Sequence, residues 1–99
     1  MLADGRIMIK RQKSKNGDVR VTFSIPLDEA PEATSVLGDF NGWDPVANPL
    51  QKRSNGTRSA VIEVGAGQVV QFKYLADGGH WFNDHEGDID GDGNNVIAA

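Results

Sequence analysis

The chain contains no cysteine. That excludes a disulfide framework, a thiolate zinc site, an iron–sulfur cluster and a cysteine nucleophile, and it fits a reducing compartment. No apolar stretch nears the ~20 residues that a membrane span needs. The opening Met1-Leu2-Ala3-Asp4-Gly5-Arg6 lacks the apolar run of a secretory signal. A cytoplasmic location with no membrane partner is therefore expected. No Gly-x-Ser-x-Gly elbow occurs, which removes the usual serine-hydrolase arrangement. With 99 residues there is room for one domain, 1–99. A (β/α)₈ barrel needs at least ~200 residues, and a dinucleotide fold with its substrate domain is also too large.

What remains is an ordinary soluble composition: 38% hydrophobic, 24% charged, 12 glycines and a formal net charge of −4. The charge is unevenly placed. Arg6, Lys10, Arg11, Lys13, Lys15 and Arg20 make the first fifth basic, whereas Asp77, Asp84, Glu86, Asp88, Asp90 and Asp92 follow one another without an intervening Lys or Arg. The overall sign opposes a polyanion, so no nucleic-acid partner is expected. The basic stretch reads as the solvated face of a strand.

Hydrophobicity repeats every second residue, the period of a half-buried strand. Ile7 and Ile9 alternate with Arg6, Met8 and Lys10. Asn16-Gly17 then predicts a two-residue hairpin turn, and Val19, Val21, Phe23 and Ile25 alternate with polar neighbours up to Pro26. Further strands are expected over Thr34–Phe40, Thr57–Val64, Gln68–Ala76, His80–Asn83 and Asn95–Ala98. A short strand around Leu50 and a loop from His85 to Gly93 complete the reading. Pro31 restricts any helix in the Asp28–Ala33 loop to a turn. Short strands about ten residues apart, with no helical window, predict an all-β fold: an immunoglobulin-like antiparallel β-sandwich.

Three segments carry a family resemblance: Gly38-Asp39-Phe40-Asn41-Gly42-Trp43-Asp44-Pro45, Gln71-Phe72-Lys73-Tyr74-Leu75-Ala76-Asp77-Gly78 followed by Trp81, and Asn94-Asn95-Val96-Ile97. In this order they resemble the isoamylase early-set domain, carbohydrate-binding module family 48. That family includes the glycogen-binding domain of the AMP-activated protein kinase β subunit and the N-terminal domains of glycogen branching enzymes. The resemblance runs from about Val19 to Ala98. It implies an early-set sandwich that binds α-1,4-linked glucans such as glycogen or starch without catalysis or cofactor, through Trp43, Lys73, Trp81 and Asn94, with Asn95 as the substitute if the end is displaced by one. A second function compatible with the resemblance is a regulatory module docking onto a glycogen-metabolising enzyme.

The chemistry suits the residue types. A glucose ring has an apolar face that an indole can cover, and its hydroxyl rim can be read by Lys and Asn. Each residue also has a plainer role: Trp81 as core packing, Trp43 as a lid, Lys73 as a strand charge, Asn94 as a turn residue. Hairpin register bears directly on Trp81. A two-residue Asp77-Gly78 turn would place Trp81 opposite Tyr74 on the core side. A three-residue Asp77-Gly78-Gly79 loop, the expected one, places it opposite Leu75 on Lys73's face.

Two other constellations are weaker. Asp88-Ile89-Asp90-Gly91-Asp92-Gly93 matches the opening of an EF-hand loop, but its twelfth position is Ala99 where a Glu is required. His80, Asp84, His85 and Glu86 have no spacing that enforces convergence on a metal. No metal site is assigned to either.

Overall fold

A computed structural model describes residues 8–85 and 88–99. The expectations for Arg6, Ile7 and Glu86 lie outside them. Nine strands form two packed antiparallel sheets, and no helix occurs among the described residues. They are β1 (Met8–Lys13), β2 (Val19–Pro26), β3 (Thr34–Gly38), β4 (Gln51–Lys52), β5 (Thr57–Val64), β6 (Val69–Ala76), β7 (His80–Phe82), β8 (Asp88–Ile89) and β9 (Asn95–Ala98). The first sheet runs β1-β2-β5-β4. The second runs β3-β6-β9-β8, with β7 also paired to β6.

Alternation decides which face is buried. Val21, Phe23 and Ile25 of β2 and Val70, Phe72 and Tyr74 of β6 are fully buried between the sheets, while the residues that separate them along each strand are only partly buried. The aromatic core is continuous: the Phe23 and Phe72 rings lie 4.8 Å apart, Phe72 and Tyr74 5.7 Å, and Tyr74 and Phe82 5.2 Å. Such pairs add ~0.5–1.5 kcal/mol beyond the area they bury. Arg11 ties the sheets at one edge, its Nε–H donating to the Ala98 carbonyl at 2.8 Å.

Three expectations are corrected and a fourth, the short strand around Leu50, is refined. The first hairpin has a three-residue loop: Ser14 opposes Asp18, the Ser14 N–H donating to the Asp18 carbonyl at 2.8 Å, and only Gly17 takes positive φ. A type I′ Asn-Gly turn needs positive φ at both residues, but here the Asn16 carboxamide is engaged by the Ser14 hydroxyl and the Asp18 N–H. The third strand stops at Gly38 rather than Phe40, because Asn41 and Trp43 turn back onto the Gly38 carbonyl. Residues near Leu50 change sheets. Ser35 bridges Pro49 on the edge of β3, buried Leu50 crosses, and Gln51–Lys52 pair with β5. The loop from His85 to Gly93 contains the two-residue strand β8, paired with β9.

No helix among the described residues is long and apolar enough to cross a membrane.

The central strand β6 organises the rest. One edge pairs with β3. The other is divided: β9 covers Val69 to Phe72 and β7 covers Tyr74 to Ala76. Lys73 sits at the seam between them.

Candidate functional site

The β6–β7 turn has three residues. Leu75 pairs with Trp81 and Tyr74 with Phe82, and Gly78 and Gly79 both take positive φ. Phe82 therefore turns inward against Tyr74, while Trp81 stands on the outer face of the second sheet, the face of Lys73. Trp81 is 46% exposed. Continuing the β6–β9 register by one residue sets Asn94 alongside Lys73, and continuing the β6–β7 register does the same for Asn83. At this seam the chain leaves β6 at Asn83 and returns at Asn94. The Asn83 carboxamide closes the gap, donating to the Gly93 carbonyl at 2.9 Å.

Trp43 reaches this surface from the loop after β3. Phe40 turns inward and stacks on Phe23 at 6.2 Å. Trp43, three residues on, is half-buried and turned outward. Trp43, Lys73, Trp81 and Asn94 together line one open groove of about 350 Å³. All four side chains expected from the sequence thus come together, and Asn95 does not join them. Asn95 is fully buried and holds the end of β7: its Oδ1 accepts from the Asp84 N–H at 2.7 Å and its Nδ2 donates to the Asp84 carbonyl at 3.2 Å. Beneath, the Tyr74 hydroxyl donates to Asp84 Oδ2 at 2.6 Å.

Asn94 is held by its main chain. Its N–H donates to Asp90 Oδ1 at 3.0 Å and its carbonyl accepts from the Asp90 N–H at 2.8 Å. Asp90 Oδ1 also accepts from the Asp92 N–H, and Asp90 Oδ2 from Gln71 Nε2 at 2.8 Å, which anchors the loop to β6. These donors, the Asn94 N–H foremost, hold the Asp90 carboxyl below its ordinary pKa. The acidic loop is thus organised around one carboxylate. No group of three or more potential metal ligands occurs among the described residues. His85 instead approaches Glu29, at 3.3 Å.

The groove offers two flat apolar faces, one ammonium and one amide. Lys73 Nζ makes no hydrogen bond or ion pair among the described residues, and it lies 3.8 Å from where a Cβ on Gly93 would stand. An ammonium carries three donors and no acceptor. No described carboxylate lines the groove. A larger depression, about 500 Å³, lies at the β1–β2 hairpin and is lined by polar residues such as Lys13, Arg20 and Glu63. It has no aromatic side chain and offers nothing to stack on.

The chain is similar to part of a known enzyme. It is 33% identical over 73 residues, 72% of this chain, to the 1,4-alpha-glucan branching enzyme GlgB of Leifsonia xyli subsp. xyli. The chain spans only 10% of that enzyme's length. No protein-family model matches it. The likeness to GlgB is therefore that of a small all-β unit to part of a much longer enzyme.

Sequence reasoning missed the supporting residues. Asn41, Asn83, Asp90 and the Tyr74–Asp84–Asn95 set position the groove without lining it. Asn41, Tyr74 and Asn95 lie inside the three resemblance segments and Asp90 inside the acidic run, but nothing in the sequence assigned them a supporting role.

Proposed function

We propose that this chain is a non-catalytic binding module for α-1,4-linked glucans, an early-set domain of carbohydrate-binding module family 48. The observation that carries the reading is the convergence of Trp43, Lys73, Trp81 and Asn94, drawn from three separated segments, on one groove. Trp43 and Trp81 stack on glucose faces, and Lys73 and Asn94 fix orientation through the hydroxyls. The likeness to a 1,4-alpha-glucan branching enzyme supports the same substrate class. A neutral polymer requires no strong field, which agrees with a net charge of −4. Docking onto a glycogen-metabolising enzyme with a vestigial sugar surface would be favoured by buried indoles, and Trp81 is 46% exposed.

The test is calorimetric titration with maltoheptaose, with cellohexaose as the β-linked control. A shallow groove predicts micromolar to millimolar affinity for maltoheptaose and weaker binding of the control. Absence of maltoheptaose binding up to ~10 mM would overturn the proposal.

A further inference from the structure

Trp43 has φ of 60°, the only positive φ at a non-glycine position among the described residues. A bulky L-residue avoids this region because its Cβ crowds the following carbonyl. Such outliers persist where the surroundings over-determine them, and they cluster at binding sites. Here the Asn41 carboxamide and the Gly38 carbonyl hold the turn together. Asn41 Oδ1 accepts from the Gly38 N–H at 3.0 Å and from the Trp43 N–H at 3.1 Å. Its Nδ2 donates to the Val36 carbonyl at 3.1 Å and to Asn48 Oδ1 at 2.8 Å. The Trp43 N–H is shared with the Gly38 carbonyl at 2.9 Å, and Gly42, at φ of 65°, supplies the other left-handed residue of the turn.

We infer that Asn41 is a positioning residue for the groove: its side chain locks Trp43 in the left-handed conformation that turns the indole toward Lys73 and Trp81. Returning φ from 60° to an ordinary helical value rotates Cβ about the N–Cα bond by roughly 120°, which takes the indole out of the groove. Asn41 does not line the groove itself. It therefore acts on ligand only through Trp43, and a residue serving the fold alone would show no such dependence.

The binding part of this inference rests on the glucan reading, so two readouts are used. The chain has two tryptophans, and Trp81→Ala leaves Trp43 as the sole one, excited at wavelengths where Tyr74 does not absorb. Adding Asn41→Ala to that variant should raise acrylamide quenching of Trp43 and lower its anisotropy, with no ligand present. For maltoheptaose, an unclamped turn keeps the left-handed conformer in about a tenth of molecules, so Asn41→Ala should weaken binding about tenfold. It should do so in the wild-type and Trp81→Ala backgrounds but by less than ~2-fold in Trp43→Ala, where nothing is left to position. Should Asn41→Ala not fold, Gly42→Val replaces it. Its Cβ meets no atom within 4 Å, and a β-branched residue resists positive φ. Unchanged Trp43 fluorescence, or an equal loss of affinity in the Trp43→Ala background, overturns the assignment. If wild type fails to bind maltoheptaose, the glucan reading falls, and the fluorescence alone decides whether Asn41 holds Trp43.

Discussion

Replacing Trp81 by alanine removes the most exposed apolar surface of the groove, and the consequence can be worked from its geometry. A tryptophan presents up to roughly 250 Å², and Trp81 is 46% exposed, so about 115 Å² of it remains in water. A sugar ring lies on one face of the indole and covers about half of that, roughly 60 Å². At ~25 cal/mol per Å² this contributes about 1.5 kcal/mol to binding, close to a tenfold change in Kd. The fold should scarcely notice. Trp81 lies outside the buried core and pairs with Leu75 on the outer face, so stability should move by less than ~0.5 kcal/mol. Titration calorimetry with maltoheptaose on wild type and Trp81→Ala, with circular dichroism melts in parallel, measures both quantities. Equal affinity in the two proteins, where wild type binds, would show that Trp81 is not part of the platform. A large drop in melting temperature would show that it serves the core after all.

Other perturbations follow from the supports around the groove. Gly38→Ala would bring a Cβ to 2.3 Å from the Gln71 carbonyl oxygen and 2.5 Å from the Phe40 ring. It should cost about 1–3 kcal/mol, lowering the melting temperature by ~4–8 °C per kcal/mol; an unchanged melt would contradict the packing. Tyr74→Phe deletes the buried donor to Asp84 and should cost about 1.5–3 kcal/mol in urea denaturation, with a loss under ~0.5 kcal/mol arguing against that bond. Asp90 gives a pH signature. Its folded pKa is depressed, so the stability it contributes is complete above the ordinary aspartate value near 3.9 and is lost as pH falls through the lower folded value. The Asn94 N–H resonance should titrate below ~3.9, and Asp90→Asn should abolish that titration. A midpoint at or above the ordinary value would refute the loop geometry.

The sandwich was legible because burial alternates along β6 and along most of β2 and β5, and that period places Phe23, Ile62 and Phe72 inside together. Trp81 could be placed because adjacent glycines at 78 and 79 admit the loop that needs positive φ. The same logic misjudged Asn16-Gly17, since a side chain accepting from Ser14 and Asp18 outweighed the dipeptide's preference for a tighter turn. The sheet change at residues 49–52 left no periodic trace, being a crossing with one buried residue, Leu50. β8 has two residues, both exposed, and pairing made it a strand where pattern could not. The groove's lining was expected from the family resemblance carried by three separated segments. Its supports were not, because Asn83, Asp90 and Asn95 act through bonds to main-chain atoms whose approach depends on the finished sheets.

The divided edge of β6 gives the groove an adjustable wall. Trp81 is fixed by the short hairpin to β7, whereas Asn94 stands at the far end of a longer excursion that leaves the edge of β6 and returns to it after β8. Lengthening or shortening that excursion would shift the amide relative to the indole while every pair within β6–β7 and β6–β3 kept its register. Ligand width could thus change with the length of this excursion, through β8 and the Asp90 anchor, while the indole stays where the β6–β7 hairpin puts it.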